Sequence, residues 1–289
     1  MPNITTAMSK KIALPGPRKF VFESPAIMGV LNVTPDSFSD GGRYFSWSAA
    51  LNRAKEIIQE GADIIDIGGE SSRPGSEPVS VEDELQRVVP MVKAVRQFSQ
   101  AAISVDTAKA EVARRSLEAG AEIINDISAL RFDREMAAVV RDFEAVVVLM
   151  HMLGEPKTMQ QAPYYDDCIA EISKFFEERV EYCLRQGISR GRIVLDPGIG
   201  FGKRLEDNID ILIHLDRFSR LGFPLMLGTS RKSFIGLITG IKDQPEKRIG
   251  GSIASALLGM MKGADILRVH DVAATIEAVK VFKAINGAN

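Results

Sequence analysis

Residues 102–127 read AISVDTAKAEVARRSLEAGAEIINDI, two short apolar runs on either side of a longer segment. The runs 102–107 and 122–127 are almost continuously apolar, which is typical of parallel strands covered on both faces. Parallel neighbours need a crossover of about a dozen residues or more, usually a helix, and the middle segment is long enough to supply it. Gly120 stands at a helix C-cap position. The stretch therefore predicts a strand, a helix and a second, parallel strand.

The same pattern recurs six times outside this stretch. The further runs are AIMGVLNV (26–33), ADIIDIGG (62–69), AVVVLMH (145–151), RIVLDPG (192–198), PLMLGTS (224–230) and ADILRVH (264–270). Eight strands that alternate with helices select a closed (β/α)8 barrel over an open doubly wound sheet. We therefore predict an α/β protein with a single TIM barrel of eight parallel strands over residues 26–289, preceded by an N-terminal leader, 1–25, that covers the barrel floor.

Composition excludes several classes of protein. The formal net charge is −2, with 36 Lys and Arg against 38 Asp and Glu, so neither a nucleic-acid surface nor a polybasic membrane patch is expected. No run of 18 apolar residues and no signal peptide occurs, which predicts a cytoplasmic protein. The three histidines are scattered and no Cys/His set has zinc spacing, so we expect no structural metal.

Polar residues end every predicted strand, and active sites of such barrels lie at the carboxyl ends of the strands. Strand ends simply become polar in many proteins, which explains any one of these residues. It explains Asp106, Asn125 and Asp196 less well, because an unpaired polar group in an apolar run costs several kcal/mol. We predict a site that includes these three. The whole set is Asn32, Glu70, Asp106, Asn125, His151, Asp196, Ser230, Arg268 and His270.

The loops between the runs carry a second signal. NVTPDSFSDGG (32–42) and GGESSRPGSEP (68–78) are rich in Gly, Ser, Pro and Asp, and we interpret them as mobile lids, with solvated surface loops as the alternative. DPGIGFGK (196–203) fits neither the dinucleotide fingerprint nor the P-loop. Arg231 and Lys232 follow the seventh strand, and RVHD (268–271) places Arg268 and His270 at the end of the eighth, with Asp271 as the predicted N-cap of the next helix. Loops after these two strands form the usual phosphate site of this fold, although a surface charge pair would also explain Arg231 and Lys232.

The ordered motifs resemble those of the dihydropteroate synthases, the pterin-binding TIM-barrel family, from about residue 26 to residue 285. They are MGVLNVTPDSFSDGG, GGESSRPG, SVDT, IINDI, LMHMLGEPKTMQ, LDPGIGFGK, SRKS and RVHD. The resemblance implies a transferase of folate biosynthesis that condenses 6-hydroxymethyl-7,8-dihydropterin pyrophosphate with p-aminobenzoate. It also implies Mg²⁺ as cofactor, with Asn32 as its protein ligand, and a homodimer formed through late helices such as 246–262.

The resemblance assigns roles residue by residue. Asp196 would accept the adjacent 2-amino and N3–H donors of the pterin, a pairing that suits a carboxylate. The pterin set is Asp106, Asn125, Met150, Asp196 and Lys232, and the pyrophosphate set is Asn32, Arg268, Val269 and His270. The aminobenzoate set is Ser72, Arg73, Pro74, Phe201, Lys232 and Ser233, with Asp36, Arg73 and Lys232 as catalytic candidates. Ser72 departs from the Thr that is more usual in the family.

Two other functions are compatible with part of this pattern. A pterin-binding methyltransferase of the same barrel superfamily would keep the pterin residues but would need no grip on a pyrophosphate. A catalytically silent barrel would act only as a binding or assembly subunit. The residues Asn32, Arg268 and His270 and the first glycine-rich loop favour the synthase over both.

Overall fold

A computed structural model describes residues 11–34, 42–71 and 75–287, with backbone only for 42–46. Two short strands, β1 (Lys11–Pro15) and β2 (Lys19–Glu23), form an antiparallel hairpin ahead of the barrel. The barrel strands are β3 (Ala26–Asn32), β4 (Ile64–Gly68), β5 (Ala102–Asp106), β6 (Ile123–Asp126), β7 (Val146–Met150), β8 (Ile193–Asp196), β9 (Met226–Leu227) and β10 (Ile266–Val269).

Helices follow each barrel strand and form the outer layer. They are α1 (Gly42–Gln59), α2 (Val81–Phe98), α3 (Ala110–Glu118), α4 (Met136–Asp142), α5 (Cys168–Arg185), α6 (Leu205–Ile213), α7 (Leu215–Ser219), α8 (Ser233–Thr239), α9 (Ile249–Met261) and α10 (Val272–Ile285). Ser80 is the N-cap of α2, since its Oγ accepts from the Asp83 N–H at 3.1 Å. None of the helices in the described ranges is long and apolar enough to span a bilayer.

The eight strands form one parallel sheet in the order β8, β7, β6, β5, β4, β3, β10, β9. The two ends of this sheet meet, because Leu195 bridges to Leu225 and its N–H donates to the Pro224 carbonyl at 2.9 Å. The predicted (β/α)8 barrel is therefore confirmed.

Alternation along the strands sorts side chains into two cores. Ile64 of β4 and Ile266 of β10 face the barrel interior, whereas Ile65 and Leu267 face the helices. The next inward positions on the same strands are Asp66 and Arg268. Polar side chains therefore replace apolar ones inside the barrel as the strands approach their carboxyl ends.

The hairpin closes the opposite end of the barrel. Ile12, Leu14 and Phe22 pack in the same apolar cluster as the first inward residues of the barrel strands. At this floor, the buried Glu122 accepts hydrogen bonds from Arg18 Nε at 2.7 Å and from Arg96 Nη2 at 2.9 Å. The described part of the leader thus covers the floor, as its position in the sequence suggests.

Candidate active site

A pocket opens at the carboxyl ends of the strands, where the sequence predicts the site. All five predicted pterin residues come together there with Arg268, whereas Arg231 is not part of the lining. Its lining is Asp106, Asn125, Ile127, Met150, Asp196, Gly198, Ile199, Phe201, Gly228, Lys232 and Arg268. Polar groups stand at the rim of an apolar slot, which is typical of a site for a flat heterocycle.

Asp196 is held by the loop that follows its own strand. Its Oδ1 accepts from the Gly198 N–H at 2.8 Å, and the side chain is buried. Gly198 has φ +68°, and a Cβ there would lie 2.0 Å from the His151 carbonyl oxygen, so only glycine fits. Burial raises the pKa of Asp196, while the Gly198 N–H and the Lys232 cation oppose that rise.

Arg268 forms a fork between two carboxylates at the bottom of the pocket. Its Nε donates to Asp66 Oδ2 at 2.7 Å and its Nη2 donates to Asp106 Oδ2 at 2.8 Å. Burial raises the pKa of Asp106, and the Asp66 carboxylate adds to this rise while Arg268 opposes it. The anionic pair in turn raises the pKa of Arg268, which keeps the guanidinium charged.

Lys232 lies on the other side of the pocket, at the start of α8. Its Nζ stands 4.1 Å from the centroid of the Phe201 ring, a cation–π contact. Burial and the Arg268 charge lower the pKa of Lys232 to about 8. The ammonium therefore lies close to its titration midpoint at weakly alkaline pH.

Two residues of the predicted pyrophosphate set, Val269 and His270, directly follow Arg268 in the sequence. His270 stays neutral at pH 7, because burial and the Arg268 charge lower its pKa to about 3. Ser230 Oγ accepts from the His270 backbone N–H at 3.2 Å and can direct its own proton to Nδ1 at 3.1 Å, which leaves Nε2–H as a donor. The Val269 side chain packs in the outer core, so only its backbone is open to a ligand.

Other expectations have mixed outcomes. Asp36, Ser72, Arg73 and Pro74 lie outside the described residues, and Ser233 is exposed at the start of α8. Arg231 turns away from the pocket, because its Nε donates to Asp271 at 3.0 Å. The same ion pair means that Asp271 does not cap α10 with its side chain, contrary to the sequence interpretation.

Two strand-end residues have partners outside the pocket lining. Lys109 Nζ links Glu70 to the buried Glu84, at the base of the second glycine-rich loop. His151 Nδ1 lies 3.0 Å from the buried Lys203 Nζ, which also donates to the Phe201 carbonyl at 3.0 Å. Lys203, the last residue of the segment DPGIGFGK (196–203), therefore holds the segment near His151 and fixes the backbone of Phe201.

Asp66 is a residue of this site that was not predicted from the sequence. The residue lies in the middle of an apolar run, which is the signal that could have found it, since a fully buried carboxylate needs a partner. The polar residue predicted at the end of this run is Glu70, four residues later, whereas the carboxylate that faces the barrel interior is that of Asp66.

Comparisons with known proteins support the interpretation of this pocket. A family model described as pterin binding enzyme matches residues 28–270. The dihydropteroate synthase of Escherichia coli K12 is 49% identical over 260 residues, 90% of this chain and 91% of that protein. The structure of Xanthomonas albilineans dihydropteroate synthase with 4-aminobenzoic acid superposes with a TM-score of 0.90 at 44% identity, covering 97% of this chain and 100% of that one.

A second structure from Xanthomonas albilineans, in complex with 7,8-dihydropteroate, has a TM-score of 0.85 at 43% identity and covers 94% of this chain and 97% of that one. The residues matched by the family model, 28–270, include every strand end that lines the pocket. The chain belongs to the pterin binding enzyme family, among relatives that are dihydropteroate synthases.

Proposed function

We propose that the chain is a dihydropteroate synthase, a transferase that joins 6-hydroxymethyl-7,8-dihydropterin pyrophosphate to p-aminobenzoate and releases pyrophosphate. The observation that carries the proposal is the pocket itself, which brings Asp106, Asn125, Asp196, Lys232 and Arg268 to one strand-end cavity. Relatives at this identity carry the same name, and related structures hold 4-aminobenzoic acid or 7,8-dihydropteroate.

The pterin would lie in the slot with its edge against Asp196. An ionised carboxylate accepts the two adjacent donors of the ring, N3–H and the 2-amino group, while Gly198 fixes one of its oxygens. Asn125 and Asp106 would meet the opposite edge, and Lys232 would donate to the 4-oxo and N5 atoms. Met150 and Phe201, both buried, provide the apolar walls.

The pyrophosphate would lie between Asn32, Arg268 and His270. Arg268 keeps its Nη1 free of partners among the described residues, and the Nε2–H of neutral His270 adds a second donor. The amine-site residues Ser72, Arg73 and Pro74, together with Phe201, Lys232 and Ser233, stay predictions, as does Asp36 as the acceptor of the amine proton.

Magnesium fits this site as a cation that takes most of its ligands from the substrate. A Cβ built on Gly68 would lie 3.8 Å from Asn32 Oδ1 and 3.9 Å from Asp106 Oδ2, so both oxygens lie beside Gly68 at the strand ends. No cluster of three or more acidic, His or Cys side chains suited to a metal occurs among the described residues. Mg²⁺ commonly binds through one or two protein oxygens plus phosphate, and it would offset the charge of the leaving group.

The reaction needs no protein nucleophile. The C–O bond between the pterin methylene and the pyrophosphate breaks, the electron pair leaves on the phosphate oxygen, and the amine nitrogen then forms the C–N bond and loses a proton. Arg268 and His270 donate to the departing anion, whereas Asp106 and Asp196 offset the positive charge on the pterin. Fixed dipoles and charges of this kind stabilise a transition state without reorganisation.

Release of pyrophosphate tests the function. We expect the purified chain to release pyrophosphate from the pterin substrate only when p-aminobenzoate is present, in equal amount to the dihydropteroate formed. A methyltransferase of the same superfamily would bind the pterin without releasing pyrophosphate, and a silent barrel would do neither. Either of these last results would overturn the proposal.

The pH dependence of pterin binding tests the role of Lys232. Ligand-free Lys232 loses its proton as pH rises through about 8, and the bound pterin favours the charged form. Affinity is therefore expected to fall by up to about tenfold per pH unit above that value. Lys232→Arg stays protonated and should remove this decline. Calorimetric titrations of both proteins between about pH 6 and pH 10 would show it, and parallel profiles would contradict the assignment.

We also propose a homodimer through the late helices. The helix α6 packs against both α8 and α9, and all three helices carry exposed apolar side chains that a partner could cover. The residues are Ile209, Ile213, Leu237, Ile238, Ile249 and Met261. Gly251 and Gly259 of α9 do not provide a close contact for a second copy. A Cβ on Gly251 would meet Ile235, and one on Gly259 would meet Leu227, so both glycines face their own chain.

Sedimentation of a double variant tests this face. Leu237→Glu with Ile238→Glu should convert a dimer to a monomer, because two charges would be buried in an apolar contact. Leu184→Glu, at another exposed apolar position, on α5, should leave the dimer intact. A wild-type chain that sediments as a monomer at micromolar concentration would rule the dimer out. The cytoplasmic location stays a prediction from the sequence.

A further inference from the structure

The carboxylate of Asp66 lies directly beneath the pocket, inside the barrel. The side chain points inward from the middle of β4, one step above Ile64, and is 0% exposed. It is not part of the pocket lining, and the proposed substrate contacts do not use it. Its position is shielded from a bound ligand by the side chains that it contacts.

One oxygen of Asp66 receives two hydrogen bonds from pocket residues. Oδ2 accepts from Arg268 Nε at 2.7 Å and from Asn125 Nδ2 at 3.1 Å. Oδ1 is buried without a partner in the described part of the chain. Asp66 therefore joins a residue of the proposed pterin site to a residue of the proposed pyrophosphate site.

The contact with Asn125 fixes which way its amide faces. An ionised carboxylate can only accept, so the Nδ2 group of Asn125 must point at Asp66. The Asn125 oxygen and its second N–H then remain for the ligand. Without this acceptor the amide could rotate by 180°, which would exchange the donor and acceptor presented to a pterin edge.

The contact with Arg268 fixes the plane of its guanidinium. Arg268 Nε and Nη2 donate to two different carboxylates, those of Asp66 and Asp106, so the fork cannot rotate without losing one of them. Removing the Asp66 acceptor leaves a single tether on a long side chain. Arg268 would then have to be ordered again each time an anion binds, and such ordering reduces affinity.

The free-energy cost of burying Asp66 indicates a role in the site and not in stabilising the fold. A fully buried carboxylate with one unpartnered oxygen costs several kcal/mol of desolvation, and buried ion pairs add little net stability compared with apolar packing. Buried charges in a cleft are more typical of functional sites.

We propose that Asp66 is a positioning residue that holds Asn125 and Arg268 together in their ligand-binding orientations, an inference that rests on the proposed function for the identity of the ligands. It acts as a hydrogen-bond acceptor and touches neither substrate. Neither Asn125 nor Arg268 belongs to the predicted aminobenzoate set.

Two substitutions distinguish this positioning role from a general effect of Asp66 on both substrates. Asp66→Leu keeps the branching at Cγ but removes the acceptor, and we expect the KM for pterin pyrophosphate to rise about tenfold or more, with the KM for p-aminobenzoate changed by less than about twofold. Asp66→Asn keeps an amide oxygen that can accept both bonds, and it should stay within about threefold of the wild-type KM. A tenfold change in KM corresponds to about 1.4 kcal/mol and a threefold change to about 0.7 kcal/mol.

Glu122→Gln is the matched control, a buried carboxylate held by two arginines at the barrel floor. It should leave both KM values unchanged. Equal losses in Asp66→Asn and Asp66→Leu, or unchanged KM values in Asp66→Leu, would overturn the proposal. If Asp66→Leu does not fold, Asp66→Asn decides alone, since a tenfold rise in its KM for pterin pyrophosphate would contradict an acceptor role.

A crystal structure of each ligand-free variant gives a readout that does not depend on activity. We expect the side chains of Asn125 and Arg268 to keep their wild-type positions in Asp66→Asn and to move from them in Asp66→Leu. A wild-type chain that forms no dihydropteroate would refute the proposed function, whereas these two structures would still decide what Asp66 does.

Discussion

Asp196→Asn is expected to lower the affinity for the pterin by roughly 10-fold to 100-fold. The amide would present a donor to one of the two pterin donors, and a charge-assisted hydrogen bond of about 1.5–3 kcal/mol would be lost. Isothermal titration with the pterin would measure this directly. A change in affinity of less than about threefold would show that Asp196 does not hold the ring.

The fold itself should tolerate this change. Burial raises the pKa of Asp196, so its ionised form costs stability at pH above the unfolded value, and Asn removes that cost. Asp126→Asn is a matched control, because Asp126 is also buried at a strand end and accepts from the N–H two residues later, at 2.7 Å. It faces the outer layer, so its substitution should leave pterin affinity unchanged.

Arg268→Ala is expected to weaken the pyrophosphate-bearing substrate by about 100-fold and the bare hydroxymethyl pterin by less than about tenfold. Only the first ligand carries the anion that Arg268 would bind, through charged hydrogen bonds of about 1.5–3 kcal/mol each. Competition binding with the two ligands would compare them. Equal losses for both would place Arg268 away from the phosphates.

The same substitution should reduce stability in a pH-dependent way. Asp66 and Asp106 would lose their cation, which costs about 3–5 kcal/mol for a buried pair. Burial already raises the pKa of Asp106 and Arg268 opposes that rise, so without Arg268 this pKa lies higher still. The loss is therefore present at neutral pH and shrinks as pH falls towards about 4. Arg231→Ala is the control, since Arg231 pairs with Asp271 outside the pocket lining.

The barrel could be predicted from the sequence because its strands are buried on both faces. Runs such as AVVVLMH (145–151) are typical of buried parallel strands. The presence of eight such runs favours a closed barrel. The strand-end rule of the fold then located Asp106, Asn125 and Asp196 in one pocket. Local periodicity and fold geometry were sufficient for this part.

Side-chain partners could not be predicted in the same way. Arg231 and Arg268 are both basic residues near the ends of neighbouring strands, yet one pairs with Asp271 and the other with Asp66 and Asp106. The choice depends on which strand position faces inward, a property of the closed barrel. Asp66 was missed for the same reason, because its partners lie 59 and 202 residues away along the chain.

The electrostatic state of the site also depends on packing. His270 belongs to the predicted pyrophosphate set, and the sequence does not show its charge. Burial and the Arg268 charge lower its pKa to about 3, so the ring is neutral at pH 7. Lys232 is similarly shifted, to about 8. The roles of Asp36, Ser72, Arg73 and Pro74 stay predictions from the family resemblance.

A crystal structure of the protein with the pterin pyrophosphate tests the account most directly. We expect density for the ring in the slot between Met150 and Phe201, with N3–H and the 2-amino group on the Asp196 carboxylate and the phosphates beside Arg268. Density for the ring at any other place, with Asp196 bonded only to Gly198, would contradict the account.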